Sequence, residues 1–175
     1  MKKAVLTYGV ISGAVSAAIL VATIPFINSV NFRNADILGY TGIVLTALLV
    51  FFGVRSYREN AGGGRLTFGR AFEVGLLITL ISCASHVVTF EIIYFKAVPG
   101  FGDKYAACMV ERAKVSGASQ QKVDQTAQQA QTLKRLFDNP LTNAALSFGE
   151  AFPVGLIATT FSAAILRKKK PAHEN

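Results

Sequence analysis

The sequence predicts an all-α fold: four transmembrane helices with a periplasmic helical hairpin between spans three and four. Three observations predict it. Ala4 to Phe32, Ile37 to Val54, Val74 to Phe90 and Ala151 to Leu166 contain no Asp, Glu, Lys or Arg. Hydrophobic residues make up 51% of the chain and charged ones 16%, a balance too apolar for an ordinary soluble domain. The only sizeable polar region, Ala97 to Pro140, carries its own helix start and stop signals. A soluble bundle would show a polar face on each helix, whereas these stretches are apolar nearly all round.

The first span covers about 4–28. Met1-Lys2-Lys3 before an apolar run resembles a signal peptide, but the run exceeds an h-region of about 7 to 15 residues and no small-x-small site follows. An uncleaved helix is the expectation. Gly9, Gly13 and Ala17 at four-residue spacing form a smooth strip where another helix can approach closely, and Pro25 kinks or ends the span. The second span covers 37–56. Glu59 to Arg65, ENAGGGR, reads as a flexible turn that divides the chain into two hairpins, because three glycines hold no helix.

The third and fourth spans, about 69–95 and 141–166, have uncharged cores shorter than the roughly 20 residues a bilayer asks for, so each borrows a turn from flanks holding Glu73, Glu91 or Glu150. Between them, residues 97–140 form an extracytoplasmic helical insertion in what is otherwise a single membrane domain over 1–175. Val98-Pro99-Gly100 breaks the third span, and Asp103 caps a helix running to about Ser116, where Gly117 stops it. Ser119 caps the next. Val123, Ala127, Ala130, Leu133 and Phe137 recur at steps of three and four until Asp138-Asn139-Pro140. That stripe is thin and Ala-rich, so the hairpin packs on itself and on the membrane surface rather than around a core of its own.

Charge orients the spans. Lys2 and Lys3, then Arg55, Arg58, Arg65 and Arg70, then Arg167 to Lys170 all fall on one side, which the positive-inside rule makes cytoplasmic. The first external loop holds only Arg33, balanced by Asp36. Both termini are then cytoplasmic and the location is a bacterial inner membrane. The net charge of +8 follows from this topology and favours anionic lipid headgroups; no base-reading or stacking group on a folded basic face points to nucleic acid. The two cysteines lie at different depths, Cys83 mid-span and Cys108 in the external loop, and offer no disulfide framework.

Residues 66–82, LTFGRAFEVGLLITLIS, recur at 146–162 as LSFGEAFPVGLIATTFS, with ten of seventeen positions identical. Apolar segments of biased composition agree at roughly one position in ten by chance, so the match reads as an internal repeat. Under the topology above the two copies run in opposite directions. Arg70 aligns with Glu150, Glu73 with Pro153 and His86 with Leu166, while the small and aromatic positions persist, so packing shape is what the repeat retains.

The opening KKAVLTYGVISG, the glycine-containing turn, LTFGRAFEVGLLIT at the third span, the polar helical loop and the basic end RKKK resemble a family of small four-span membrane proteins from Bacteroidetes, domain of unknown function 4199. The resemblance covers nearly the whole chain. It implies four helices, an inner-membrane location and no established activity, and it supplies no functional residues.

Chemistry-bearing residues are few. Gly75, Thr79, Ser82, His86 and Thr89 share one face of the third span, the most polar surface in the membrane. Two readings fit it: the lining of a hydrated path with His86 as a titratable group, or interhelical packing in which the hydroxyls and the ring find partners. Glu91 and Glu150 fall toward the same end of adjacent spans, either as a carboxylate pair holding a proton or as solvated interfacial groups. Glu91 lies about 140° around the helix from His86, against a simple relay. Arg70 and Glu73 pair locally. His86 and His173 are the only histidines, and no HExxH, GxSxG or GxxxxGK occurs, so no enzyme, metal or cofactor is expected. Two functions remain: a structural or accessory membrane component with a membrane-protein partner or a second copy of itself, or a small transporter or channel acting as a homo-oligomer.

Overall fold

The structure, a computed structural model, describes residues 1–28, 32–61 and 64–167. The expectations placed on Gly62, Gly63, Lys168 to Lys170 and His173 fall outside them. The described residues form α1 Lys2–Asn28, α2 Phe32–Asn60, α3 Phe68–Ile92 with a π-helical turn Ile93–Ala97, α4 Phe101–Val115, α5 Gln120–Asp138 and α6 Pro140–Leu166. Among the described residues four segments are long and apolar enough to cross a bilayer: Lys2–Phe26, Asp36–Asn60, Phe68–Ala97 and Pro140–Leu166. The protein is an all-α, multi-pass membrane protein.

Its side chains are distributed as a bilayer demands. On α1 the buried face is Val5, Gly9, Ser12, Gly13, Ser16, Leu20 and Thr23, spaced at three and four, and it is mostly small or hydroxyl-bearing. Large aliphatic and aromatic groups point outward instead: Val10, Val88, Phe161 and Ile165 are each about 60% exposed (60, 59, 64 and 66%). Lipid tails solvate such groups, while small residues let helices approach and their hydroxyls bond across the contact.

Glycine contacts give the helix directions. A Cβ on Gly53 would meet Ile78 and Tyr8, and one on Gly42 would meet Ile19, so residue numbers rise along α1 as they fall along α2. Gly9 lies against Ile81 and Gly13 against Ser85, so α1 and α3 run in parallel. Gly75 lies against Thr159 and Gly155 against Thr79, which makes α3 and α6 antiparallel. The four spans close a ring in the order α1, α2, α6, α3, with α2 and α3 also touching across it.

Capping chemistry sets the ends. Thr67 accepts from Arg70 N at the start of α3, Ser119 from Lys122 N at α5, and Asn139 from Leu141 N and Thr142 N at α6, where Pro140 takes the first helical position. Two boundaries differ from the sequence expectation. α4 starts at Phe101 with Gly100 as its N-cap at φ 69°, and Asp103 sits inside the first turn, because a left-handed residue after Pro99 reverses the chain there. Glu59 and Asn60 belong to α2 rather than to the turn, since Arg55 holds Glu59 one helical turn on at 2.9 Å.

The two ends of the bundle are filled differently. Around the chain termini a single apolar cluster includes Val5, Val50, Val54, Tyr57, Leu66, Val74, Ile78 and Leu166. At the other end α4 and α5 form a hairpin over the spans, its Phe101 and Phe137 packing on Phe90 and Tyr94 with ring centroids 5.2–6.1 Å apart.

Candidate functional site

Polar residues on α3 meet polar residues on its neighbours. Thr79 and Thr159 share a hydrogen bond of 3.1 Å between hydroxyls, Ser12 Oγ donates to Ser82 Oγ at 3.1 Å, and Ser16 Oγ lies 3.1 Å from His86 Nδ1. Thr79, Ser82 and His86 are 2, 6 and 8% exposed, so these three are interhelical contacts in the bundle interior. Thr89 is different: its hydroxyl donates to Ser85 O on its own helix at 2.8 Å. Gly9 and Gly13 are taken up by α3 within the same chain, with Ala17 half-buried one turn on, so this strip is not an outward surface.

The repeat-related helices are built around one reciprocal contact. Gly75 faces Thr159, Gly155 faces Thr79, and the two threonines, eighty residues apart, bond to each other. This is the self-complementary contact of a two-fold axis, here within one chain. Buried positions coincide in register as well: Ala71 with Ala151, Ser82 with Ser162, Cys83 with Ala163, His86 with Leu166. The start of the helix does not. Thr67 caps α3, whereas the matching Ser147 lies well inside α6 and donates to Asn143 Oδ1 at 3.2 Å.

Between the spans and the hairpin lies a cavity of about 310 Å³, to which all six helices contribute. That size suits a small organic molecule. His86 and Ile43 form its floor, and they also border a void of about 20 Å³ beneath, reached by Thr79 and Ser82. Such a void admits nothing larger than a water molecule. Below it lies the apolar cluster around the termini. Along the bundle the interior thus changes from a chamber, past a void of about 20 Å³, to a buried apolar cluster.

Most charges at the chamber are paired. Asp36 Oδ2 accepts from Arg112 at 2.9 Å, joining α2 to the hairpin. Lys134 Nζ donates to Asp138 Oδ2 at 2.8 Å and lies 3.6 Å from Asp103, while the Tyr94 hydroxyl donates to Asp138 Oδ1 at 2.8 Å. The Lys134 hydrogen bond holds the Asp138 carboxyl below its ordinary pKa, with Tyr94 acting the same way against the opposing effect of burial. Burial raises the Tyr105 phenol, and Asp36, Tyr40 and Glu150 add to it against Arg112. Glu150, exposed at the mouth, has neither ion pair nor hydrogen bond among the described residues.

The two carboxylates singled out from sequence are not brought together. Glu150 lines the chamber with Asp36; Glu91 does not line it, and its Oε1 is buried without a hydrogen-bond partner. Tyr40, Tyr94, Tyr105 and Lys134 are chamber residues that sequence reasoning missed. The only available signal was Phe90 and Tyr94 one turn apart, which marks an aromatic patch but not what it faces. Among the described residues no three His, Cys, Asp or Glu side chains converge for a metal ion.

Comparison with curated proteins and with solved structures returned no match. The family model described as protein of unknown function, DUF4199, matches residues 7–168, and the chain belongs to that family.

Proposed function

We propose that the protein is an accessory membrane component that holds a small ligand at its hairpin end, and that it is not a conduit. The observation that carries this reading is the axial profile: a chamber of about 310 Å³ floored by His86, followed by a void of about 20 Å³ and a buried apolar cluster. The Thr79, Ser82, His86 face that suggested a hydrated path is satisfied by hydrogen bonds between helices, which favours packing. We further propose a bacterial inner-membrane location with both termini cytoplasmic. Lys2, Arg55, Arg58 and Arg70 all belong to the end of the bundle where α1 and α3 begin and α2 ends, in support of the positive-inside orientation. The chamber would then face the periplasm, and catalysis is not part of the proposal.

A second reading, a small transporter acting as a homo-oligomer, draws support from the reciprocal α3–α6 contact, because transporters are often built from inverted units. Proteoliposomes loaded with a pH-sensitive dye separate the two. Under an imposed proton gradient and a potassium diffusion potential, the accessory reading expects the leak of protein-free liposomes. A protein-dependent leak that disappears in Ser82→Leu would overturn it in favour of a conduit.

A further inference from the structure

We infer that the chamber is a site for a small organic cation with an apolar body, an alkyl- or arylammonium, with Glu150 as its counter-charge. The inference rests on the reading of the chamber as a ligand site and adds the class of ligand.

Charge accounting comes first. Asp36 is matched by Arg112, and Lys134 by Asp138 with Asp103 nearby. Glu150 is left over. Glu150 is exposed at the chamber mouth, where none of the described residues pairs with it, so its charge is free to meet a cation entering the chamber. An anionic ligand would add a like charge beside Glu150, and a neutral one would leave Glu150 without a counter-charge.

The wall agrees with the charge. Phe90, Tyr94, Phe101 and Phe137 form one connected group of rings, and Tyr40 and Tyr105 line the same chamber. Ring faces attract cations, more strongly where water is excluded, and they also cover an apolar body. An unpaired carboxylate at the mouth of an aromatic-walled chamber therefore selects for both halves of an ammonium amphiphile. The chain contains no tryptophan, and three of its five tyrosines line the chamber, so tyrosine emission reports directly on occupancy.

The test uses the full chain in dodecyl maltoside and three probes of one shape: benzyltrimethylammonium, benzyl alcohol and phenylacetate. Isothermal titration calorimetry and tyrosine emission should show saturable one-to-one binding of the ammonium, binding of the alcohol at least about tenfold weaker, and none of phenylacetate. Glu150→Gln should weaken ammonium binding by about tenfold or more, the usual range for losing a charged partner. Glu150→Asp should retain most of it, and the remote Arg55→Ala should leave it unchanged. If alcohol and ammonium bind alike and Glu150→Gln changes neither, the cation assignment is overturned while the ligand chamber stands. If no probe binds and Leu133→Cys is also closed to a thiol reagent, both the assignment and the chamber reading fall.

Discussion

The two ends of the bundle share the packed pair α3 and α6 and have opposite interiors. Where α3 begins and α6 ends, Leu166, Leu66, Val74 and Val54 pack into one buried apolar cluster. Where α3 ends and α6 begins, His86 takes the position related to Leu166, and the space opens into a chamber. Arg70 and Glu150 differ in the same way. Arg70 meets Glu73 at 2.7 Å and the Tyr57 hydroxyl at 3.3 Å beside the apolar cluster, whereas Glu150 stands unpaired at the chamber mouth. The centre is shared and symmetric; the polar residues that break the symmetry are those that give one end a chemistry.

The strongest way to break this comparison is at its centre. Gly155→Leu pushes a side chain into Thr79 and should cost about 3 kcal/mol, as overpacking of a filled interior does. Gly149→Leu, one and a half turns earlier with open space around it, should leave the unfolding midpoint in detergent nearly unchanged. Equal effects at the two positions would mean that α3 and α6 do not meet where the structure has them.

Next in size is the hold of the hairpin on the spans. Phe90→Ala removes the ring that touches Tyr94, Phe101 and Phe137. The cost should be about 2 kcal/mol, less than for a fully buried phenylalanine because the ring is half-buried at a cavity wall. Amide exchange should quicken in α4 and α5 while α1 and the start of α3 keep their protection. Uniform loss of protection would show that the two ends do not fold as separable units.

A smaller effect distinguishes the ends by pH. The Asp138 carboxyl is held below its ordinary value by Lys134, so its contribution is present above the unfolded pKa of about 3.9 and is lost as pH falls through the lower folded value. Hairpin exchange should therefore quicken below about pH 4, and Asp138→Asn should remove that pH dependence. The smallest effect belongs to the terminal end. Arg55 and Glu59 form an exposed pair in solvent, and Arg55→Ala should leave the unfolding midpoint within error.

These contrasts also account for what the sequence could and could not reveal. Uncharged runs marked the spans because a bilayer leaves no alternative place for them, and Ser119 and Gly117 marked the hairpin because caps and left-handed residues act locally. The repeat was legible as identity, but its meaning needed the Thr79–Thr159 bond, a contact between residues far apart in the chain. His86 was visible as a polar residue in an apolar run; that it floors a chamber depends on Ile43, Phe137 and Glu150 converging from three other helices. Glu91 and Glu150 looked alike because depth can be read from sequence and facing direction across a bundle cannot. Gly9 and Gly13 signalled close approach without saying whether the approaching helix was the chain's own.

The central claim, one open end and one sealed end, is tested most directly by thiol accessibility. In a Cys83→Ala, Cys108→Ala background, Leu133→Cys and Glu150→Cys at the chamber and Thr159→Cys and Ser162→Cys beyond its floor would be exposed to a membrane-impermeant maleimide. The account predicts rapid labelling at 133 and 150, and labelling at 159 and 162 only after the protein is unfolded. Equal labelling of all four in the folded protein would contradict it, because water would then reach past His86 into the part of the bundle that the apolar cluster is held to close.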